Sequence, residues 1–307
     1  MAISSTIETA FAMQYGSTLY TLSQQLKSKF VPLVRQETVN GESRSFDRFG
    51  EAEVEDITTR YPDTPLNEIP NTRRWVTPAG SHTACMVDPQ DEAQMILRPT
   101  SKYQQLQAAA FGRKNDEIII SAALGTAAAG KTPTTASVAF QDESISINGD
   151  GTATTLGTLA AVATIVDITL AKMQLMLLIY NQEDVDPDMK KYWAVHPKTT
   201  SDMLGLTQVG SADYNTIKTL TTGKVEYFMG FHWFWSNQIT KDAATETGYR
   251  SISFVSDGLV YGSAEALTTR IGEHPGKSYV TQIYARQRAG AVRMEGAKVH
   301  ECLNKVA

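Results

Sequence analysis

SKYQQLQAAAFGRKNDEIIISAAL, residues 101–124, predicts one long helix. Pro99 cannot sit in a helix interior and sets the upstream limit. Ser101 with Gln104 has the spacing of a capping box, in which each side chain satisfies a backbone amide that the helix start leaves free. Gly125 supplies the stop. At about 1.5 Å per residue the helix is about 36 Å long, enough to span a domain. Tyr103, Leu106 and Ala110 form a stripe at helical spacing, and Ile118 to Leu124 is apolar almost all round. Between them Arg113, Lys114, Asp116 and Glu117 point in different directions about the axis. A surface helix has one polar face. A polar waist between apolar ends predicts instead a spine with different partners along its length.

The 307 residues around this helix allow one large or two ordinary domains. Hydrophobic residues at 42% and charged residues at 20% are those of a globular chain. A net charge of −5 without a basic tract argues against nucleic acid as a direct ligand. Cys85 and Cys302 have no metal-ligand spacing and predict no disulfide framework. The longest apolar run, Leu175 to Tyr180, is far too short to cross a bilayer. No basic region followed by an apolar block opens the chain, so no secretion signal is expected.

Upstream of the spine, Ser5 to Leu26 predicts a second helix, with a Ser5–Glu8 capping box and Ile7, Phe11, Tyr15, Leu22 and Leu26 on one face. It docks either on its own domain or on a neighbouring subunit. Phe30 to Phe49 has the pattern of a hairpin about Asn40-Gly41. In a strand, Glu51, Glu53 and Glu55 would share one face, with Ala52 and Val54 on the other. Pro62, Pro65, Pro70 and Pro78 make the following stretch extended chain. Phe30 to about Asp88 is therefore a long reach with little to form a core, shaped to lie on another molecule.

Directly after the spine, Gly125-Thr-Ala-Ala-Ala-Gly130-Lys131-Thr132 matches the phosphate-binding pattern G-x-x-x-x-G-K-[ST] letter for letter. In that chemistry Lys131 would hold phosphate oxygens and Thr132 a magnesium ion. The motif needs a strand before it and a helix after it. Here a helix precedes, and Pro133 with β-branched residues follows. A P-loop nucleotide hydrolase is thus the alternative reading, and the poorer one.

Further on, Val138 to Ile147 predicts a strand and Asn148 to Gly151 a turn. Thr169 opens a helix with Leu170, Met173, Met176, Leu177 and Tyr180 on one face, a core pattern rather than a cofactor box. Asp184 to Asp188 imitates a calcium loop but lacks its glycine and its closing glutamate. Tyr192 to Val195 predicts a buried strand and Thr199 to Leu206 a short helix. From Lys224 the chain turns to β, and His196 and His232 sit among large apolar residues as structural histidines. Tyr279 to Ala289 and Ala291 to Leu303 predict two closing strands joined at Gly290. No catalytic constellation has a local signature, so the chain is not expected to be an enzyme and no catalytic residue, cofactor or metal ligand is assigned.

These segments, in this order, resemble the major capsid protein of a tailed double-stranded DNA bacteriophage, with the Hong Kong 97-like capsid fold. The resemblance rests on Arg60-Tyr-Pro-Asp-Thr64, Arg73-Arg-Trp75, Asp88 to Pro99, Ser101-Lys-Tyr103, Gly112-Arg113, Asp116, Ile118-Ile119, Asp213-Tyr214, Leu220, Gly223, Gly230-Phe231, Gly290-Ala-Val-Arg293 and Val299. It implies an α+β chain with an N-terminal arm (1–29), an extended loop (30–86) over the neighbouring subunit, a peripheral domain (87–166 and 262–307) with spine helix 101–124, and an axial domain (167–261). It also implies a structural subunit that assembles into hexamers and pentamers of an icosahedral head around packaged DNA. No cofactor, membrane or sequence-specific DNA contact is implied. A separate scaffolding protein, a portal and a decoration protein are the expected partners, with assembly in the host cytoplasm and residence in the virion.

On that reading the acidic stripe Glu51, Glu53 and Glu55 is a subunit contact, facing Lys102, Arg113 and Lys114 on a neighbour's spine or Arg73 and Arg74 on another loop. A solvated face is the plain alternative. Some shells of this family join a loop lysine to a neighbour's asparagine, but no lysine occurs between Lys29 and Lys102, so a non-covalent shell is expected.

Overall fold

The computed structural model describes residues 22–61, 64, 66–88, 100–152, 165–206, 225–241 and 248–305. Strands β1 (Arg35–Thr38), β2 (Arg44–Phe49), β3 (Asn71–Val76) and β4 (Ala79–Val87) precede the long helix α1 (Thr100–Leu124). After it come β5 (Ala127–Ala129), β6 (Ala136–Val138), the short helix α2 (Phe140–Glu143) and β7 (Ser146–Ile147). Then follow α3 (Leu170–Gln182), β8 (Lys191–Val195), α4 (Pro197–Leu204), β9 (Tyr227–Phe228) and β10 (Phe231–Trp235). The chain closes with β11 (Gly248–Val255), β12 (Leu259–His274), β13 (Val280–Arg293) and β14 (Val299–Lys305).

Helix α1 forms where straight-chain and alanine residues dominate, the best helix formers. It opens at Thr100, one residue ahead of the expected start, and the side chain of Ser101 lies outside the described residues. It stops at Leu124 as expected, because a Cβ on Gly125 would come within 2.5 Å of the Ser121 carbonyl oxygen.

Among the described residues the strands make three sheets. The first runs β1-β12-β13-β4 and carries α1 across it. The Gln107 amide, buried in that contact, donates to the Ile283 carbonyl at 3.0 Å. The second runs β7-β14-β11-β8-β10-β9. Helix α3 covers it with Met173, Met176 and Tyr180 against Trp193, Trp233 and Phe231. Trp193 and Trp233 stack with centroids 4.5 Å apart across the parallel pair β8–β10. The third sheet, β2-β3-β5-β6, stands at the root of an exposed loop. Ile119, Ile120 and Ala123 on α1 share one core cluster with Phe30, Phe254, Leu259 and Val299. The apolar end of the spine thus joins the first two sheets.

Several expectations are corrected. The hairpin about Asn40-Gly41 does not form: the chain bends there, but β1 pairs in parallel with β12 while β2 pairs with β3 in another sheet. Glu51, Glu53 and Glu55 lie in no strand, because among the described residues none pairs with that run. Phe30 to Asp88 contributes more to the core than its prolines imply. Phe30, Val34, Val39, Val76 and Val87 are buried, since β1 and β4 flank the loop and pair onto the body. Residues 22–26 are irregular, with Leu22 and Leu26 exposed, so the N-terminal helix does not reach Leu26; residues 1–21 lie outside the described residues. Helix α2 interrupts the strand expected over Val138 to Ile147.

The chain does not break at Gly290. Strand β13 runs through it, and the missing side chain admits the Thr77 carbonyl oxygen and Pro78, which a Cβ would meet at 2.9 and 3.1 Å. Last, β14 pairs with β11 and β7, so the second sheet draws strands from both sides of the division expected at residue 261. The turn at 148–151, the helix after Thr169, the strand near 192–195 and the short helix near 199 all stand where expected, within a few residues.

Candidate functional site

The polar waist of α1 holds the incoming chain. Asp116 is fully buried and collects four donors from residues 25–30. The backbone amides of Lys29 and Phe30 donate to it at 3.1 Å, joined by the Ser28 hydroxyl and the Gln25 side-chain amide. Arg113, one turn away, donates to the Gln24 side chain at 2.8 Å and to the Gln25 carbonyl at 3.1 Å. A carboxylate that accepts several amides this way fixes a segment with no secondary structure of its own. Lys29 then reaches the second sheet. Its Nζ lies 3.4 Å above the Trp235 ring and donates to the Trp235 carbonyl at 2.8 Å. Burial pushes the Lys29 amine below its usual range, and Asp116 opposes that shift. Phe30 follows into the core between Phe234 and Phe254, at 5.0 and 6.0 Å. Residues 24–30 therefore enter the body through a clamp between the spine and β10.

A second polar cluster sits at the root of the exposed loop. Glu143 on α2 faces three guanidiniums: Arg74, whose Nη2 it bonds directly, Arg48 at 3.4 Å and Arg293 at 3.6 Å. Arg293 is fully buried and donates to the carbonyls of Ala123 at 3.0 Å and Gly125 at 2.8 Å. Those are acceptors at the C-terminal end of α1, where a cation also meets the favourable end of the helix dipole. Burial pushes both Arg74 and Arg293 down to about 10, and in each case nearby Arg48 adds repulsion. The cluster joins spine, loop root and β13.

Beyond it the chain between β2 and β3 leaves the body. Phe49, Val54, Ile57, Tyr61 and Leu66 are all exposed, Val54 at 93% and Leu66 at 91%. Among the described residues Glu51, Glu53 and Glu55 are exposed and make no ion pair.

The other residues singled out by sequence are dispersed. Arg73 pairs with Asp47 across β2 and β3. Arg74 is 2% exposed and engaged within its own chain, so its place among the candidate contacts to a neighbour is corrected. Lys114 pairs with Glu117 at 3.1 Å on the same helix, and Lys102 is half-buried near the start of α1. The phosphate-binding pattern is likewise corrected. Ala127–Ala129 is a strand paired with Ala136–Val138, and the Gly130 carbonyl accepts from the Trp75 indole at 2.9 Å. A helix precedes and a hairpin follows, so the backbone amides that would cradle phosphate belong to a β ladder. His196 caps α4 through Nδ1 and stacks on Tyr249 at 3.7 Å, and His232 lies between Tyr192 and Tyr227. No cluster of metal-ligating side chains occurs among the described residues, and none of their helices is long and apolar enough to cross a membrane.

A family model described as phage capsid protein matches residues 7–306. The chain belongs to the phage capsid protein family. A search of curated proteins found no match. Solved phage capsids share the fold. The capsid structure of cyanophage P-SCSP1u is 18% identical, with 96% of this chain and 93% of that chain covered and a TM-score of 0.69. A structure from Mycobacterium phage Che8 is 15% identical over 95% of this chain and 97% of that chain, with a TM-score of 0.69. The cyanophage Pam1 capsid asymmetric unit is 12% identical over 100% of this chain and 98% of that chain, with a TM-score of 0.71. At these identities the likeness is one of fold, and the α+β capsid architecture expected from sequence is the one observed. For a phage capsid protein, clamp, buried cluster and exposed loop are parts of a structural unit.

Sequence reasoning placed Asp116 and Arg113 in the waist but missed what they hold, because the donors of residues 24–30 are backbone or generic polar groups. Glu143 was missed outright. A glutamate closing a four-residue helix has no signature, and only the arginines around it single it out.

Proposed function

We propose that the chain is the major capsid protein of a tailed phage, a subunit that assembles into hexamers and pentamers of an icosahedral head enclosing double-stranded DNA. The observation that carries this is the family match over residues 7–306. The exposed loop supports it. Five large apolar side chains and three carboxylates without ion partners gain nothing on a lone chain, and contiguous exposed apolar surface is characteristic of contact sites.

On this reading residues 1–29 are the arm, 30–86 the extended loop, 87–166 and 262–307 the peripheral domain and 167–261 the axial domain, with β14 added to the axial sheet. The chain takes no cofactor, does no chemistry and encloses DNA without reading its sequence. A scaffolding protein, portal and decoration protein supply what the subunit lacks, and assembly takes place in the host cytoplasm.

The test is to purify the chain alone and with its scaffold, then examine both by sedimentation and electron microscopy, alongside a nucleotide-turnover assay. Rings or closed shells and no turnover are expected. A monomer under every condition, or turnover that Lys131→Ala abolishes, would defeat the proposal.

A further inference from the structure

The third sheet and α2 enclose an open cleft of about 700 Å³ at the root of the loop. Four cations line it, Arg48, Arg73, Arg74 and Lys131, against two carboxylates, Asp47 and Glu143. Both carboxylates already have partners. Asp47 accepts from Arg73, and Glu143 is shared among Arg48, Arg74 and the buried Arg293. The surplus is therefore positive. Lys131 is exposed and has no ion partner among the described residues, and the Arg74 Nε, deep in the wall, has no hydrogen-bond acceptor. In a chain whose net charge is −5 this is a local exception.

Its complement stands on the same chain. Glu51, Glu53, Glu55 and Asp56 lie within six residues, are all exposed and make no ion pair among the described residues. The run begins just past the last β2–β3 pair, Phe49↔Asn71, and so leaves from the rim of the cleft without filling it. Each subunit thus presents an acidic segment and a basic cleft that do not satisfy each other within one chain.

We infer that the cleft lined by Arg48, Arg73 and Lys131, with Arg74 buried in its wall, receives the Glu51–Asp56 segment of a second copy of this chain. The inference rests on the capsid reading and names one contact within it. A contact between two different surfaces repeats head to tail, and such contacts close into rings when the rotation allows. Opposed charges of this kind select the partner and its register more than they add affinity. Arg113 and Lys114 on the spine already have partners and Lys102 is half-buried, whereas the cleft gathers several cations about an exposed Lys131 that has no ion partner among the described residues.

The experiment uses full-length chains in three forms. A loop variant carries Glu51→Lys, Glu53→Lys and Glu55→Lys. A cleft variant carries Lys131→Glu and Asn71→Asp, both exposed positions outside the buried cluster. A third chain carries both sets. The loop and cleft variants should each keep a native circular-dichroism spectrum and raise the concentration needed for ring formation about tenfold or more, the equivalent of about 1.4 kcal/mol. Mixed together, they should recover, because each then meets an oppositely charged partner, and the combined variant should recover alone. Normal assembly by the cleft variant would overturn the inference. Recovery in the combined variant without recovery on mixing would place the contact inside one chain and overturn it too. Loss of duplex-DNA retention in the cleft variant with unchanged assembly would assign the cleft to phosphate, again against it. Failure of the wild-type chain to assemble at all would instead defeat the capsid reading beneath it.

Discussion

The Asp116 carboxylate on the spine helix accepts the backbone amide of Phe30 at 3.1 Å, eighty-six residues away in sequence. That bond, with its companions from Lys29, Ser28 and Gln25, makes the middle of α1 the anchor of residues 25–30. The adjoining Lys29–Trp235 contact ties the same point to the second sheet. Residues 25–30 are therefore tied at one place to both the spine and the second sheet.

Replacing Asp116 with alanine should leave buried amides without an acceptor and destabilise the chain by on the order of 3 kcal/mol. Hydrogen exchange should show the Lys29 and Phe30 amides losing protection well before the amides of α1. Unchanged protection of those two amides would mean that they are held by something other than the carboxylate.

The Glu143 cluster predicts a different pattern. Glu143→Gln leaves Arg48, Arg74 and Arg293 facing a neutral amide and should cost about 3–5 kcal/mol, as breaking a buried pair does. Adding Arg74→Met should return part of that loss, since an apolar replacement of a buried pair is often neutral. Urea unfolding of the two variants decides it, and a double variant less stable than the single one would count against the account.

The spine, its stop at Gly125 and the core face of α3 were legible because each is local: a period, a breaker or a cap. What was not legible is non-local. Asn40-Gly41 looks like a hairpin because turn chemistry is short-range, yet β1 gains more by pairing with Val260 to Ser263 than with its neighbour β2. Gly290 looks like a joint and is instead a site of close approach by Thr77, a fact no window around residue 290 contains. The acidic run was visible, but its geometry was not, because a strand needs a partner and residues 51–55 have none among the described residues. The charge cluster at Glu143 joins residues from four separate segments, and pairing of that kind leaves no trace in spacing.

The shell should carry no covalent link from the loop. No amine-bearing side chain occurs between Lys29 and Lys102, and Lys29 itself is engaged by Trp235. Boiling assembled particles in detergent should release single chains. A ladder of covalent oligomers in the gel would contradict this.

Stability should fall with acid through His300. This side chain is buried on β14, edge-on to the Tyr180 ring at 4.7 Å, and bonded to the Ile145 amide and the Ala297 carbonyl. Burial drives its pKa down to about 4 from the usual 6.5, with the bond to the Ala297 carbonyl opposing the shift. The folded chain therefore keeps His300 neutral where the unfolded chain has already taken up a proton. Above about 6.5 neither state is protonated and the contribution is whole. Between there and about 4, unfolding binds a proton, so stability drops as pH drops; below about 4 both states carry the proton and the loss is complete. The full difference is on the order of 3 kcal/mol. His300→Gln keeps one donor and one acceptor but does not titrate. Urea midpoints of unassembled chain, measured from about pH 7 down to about pH 4, should fall steeply for the wild type and distinctly less for the variant. Parallel profiles for the two would assign the acid sensitivity to carboxylates elsewhere and remove His300 from the account.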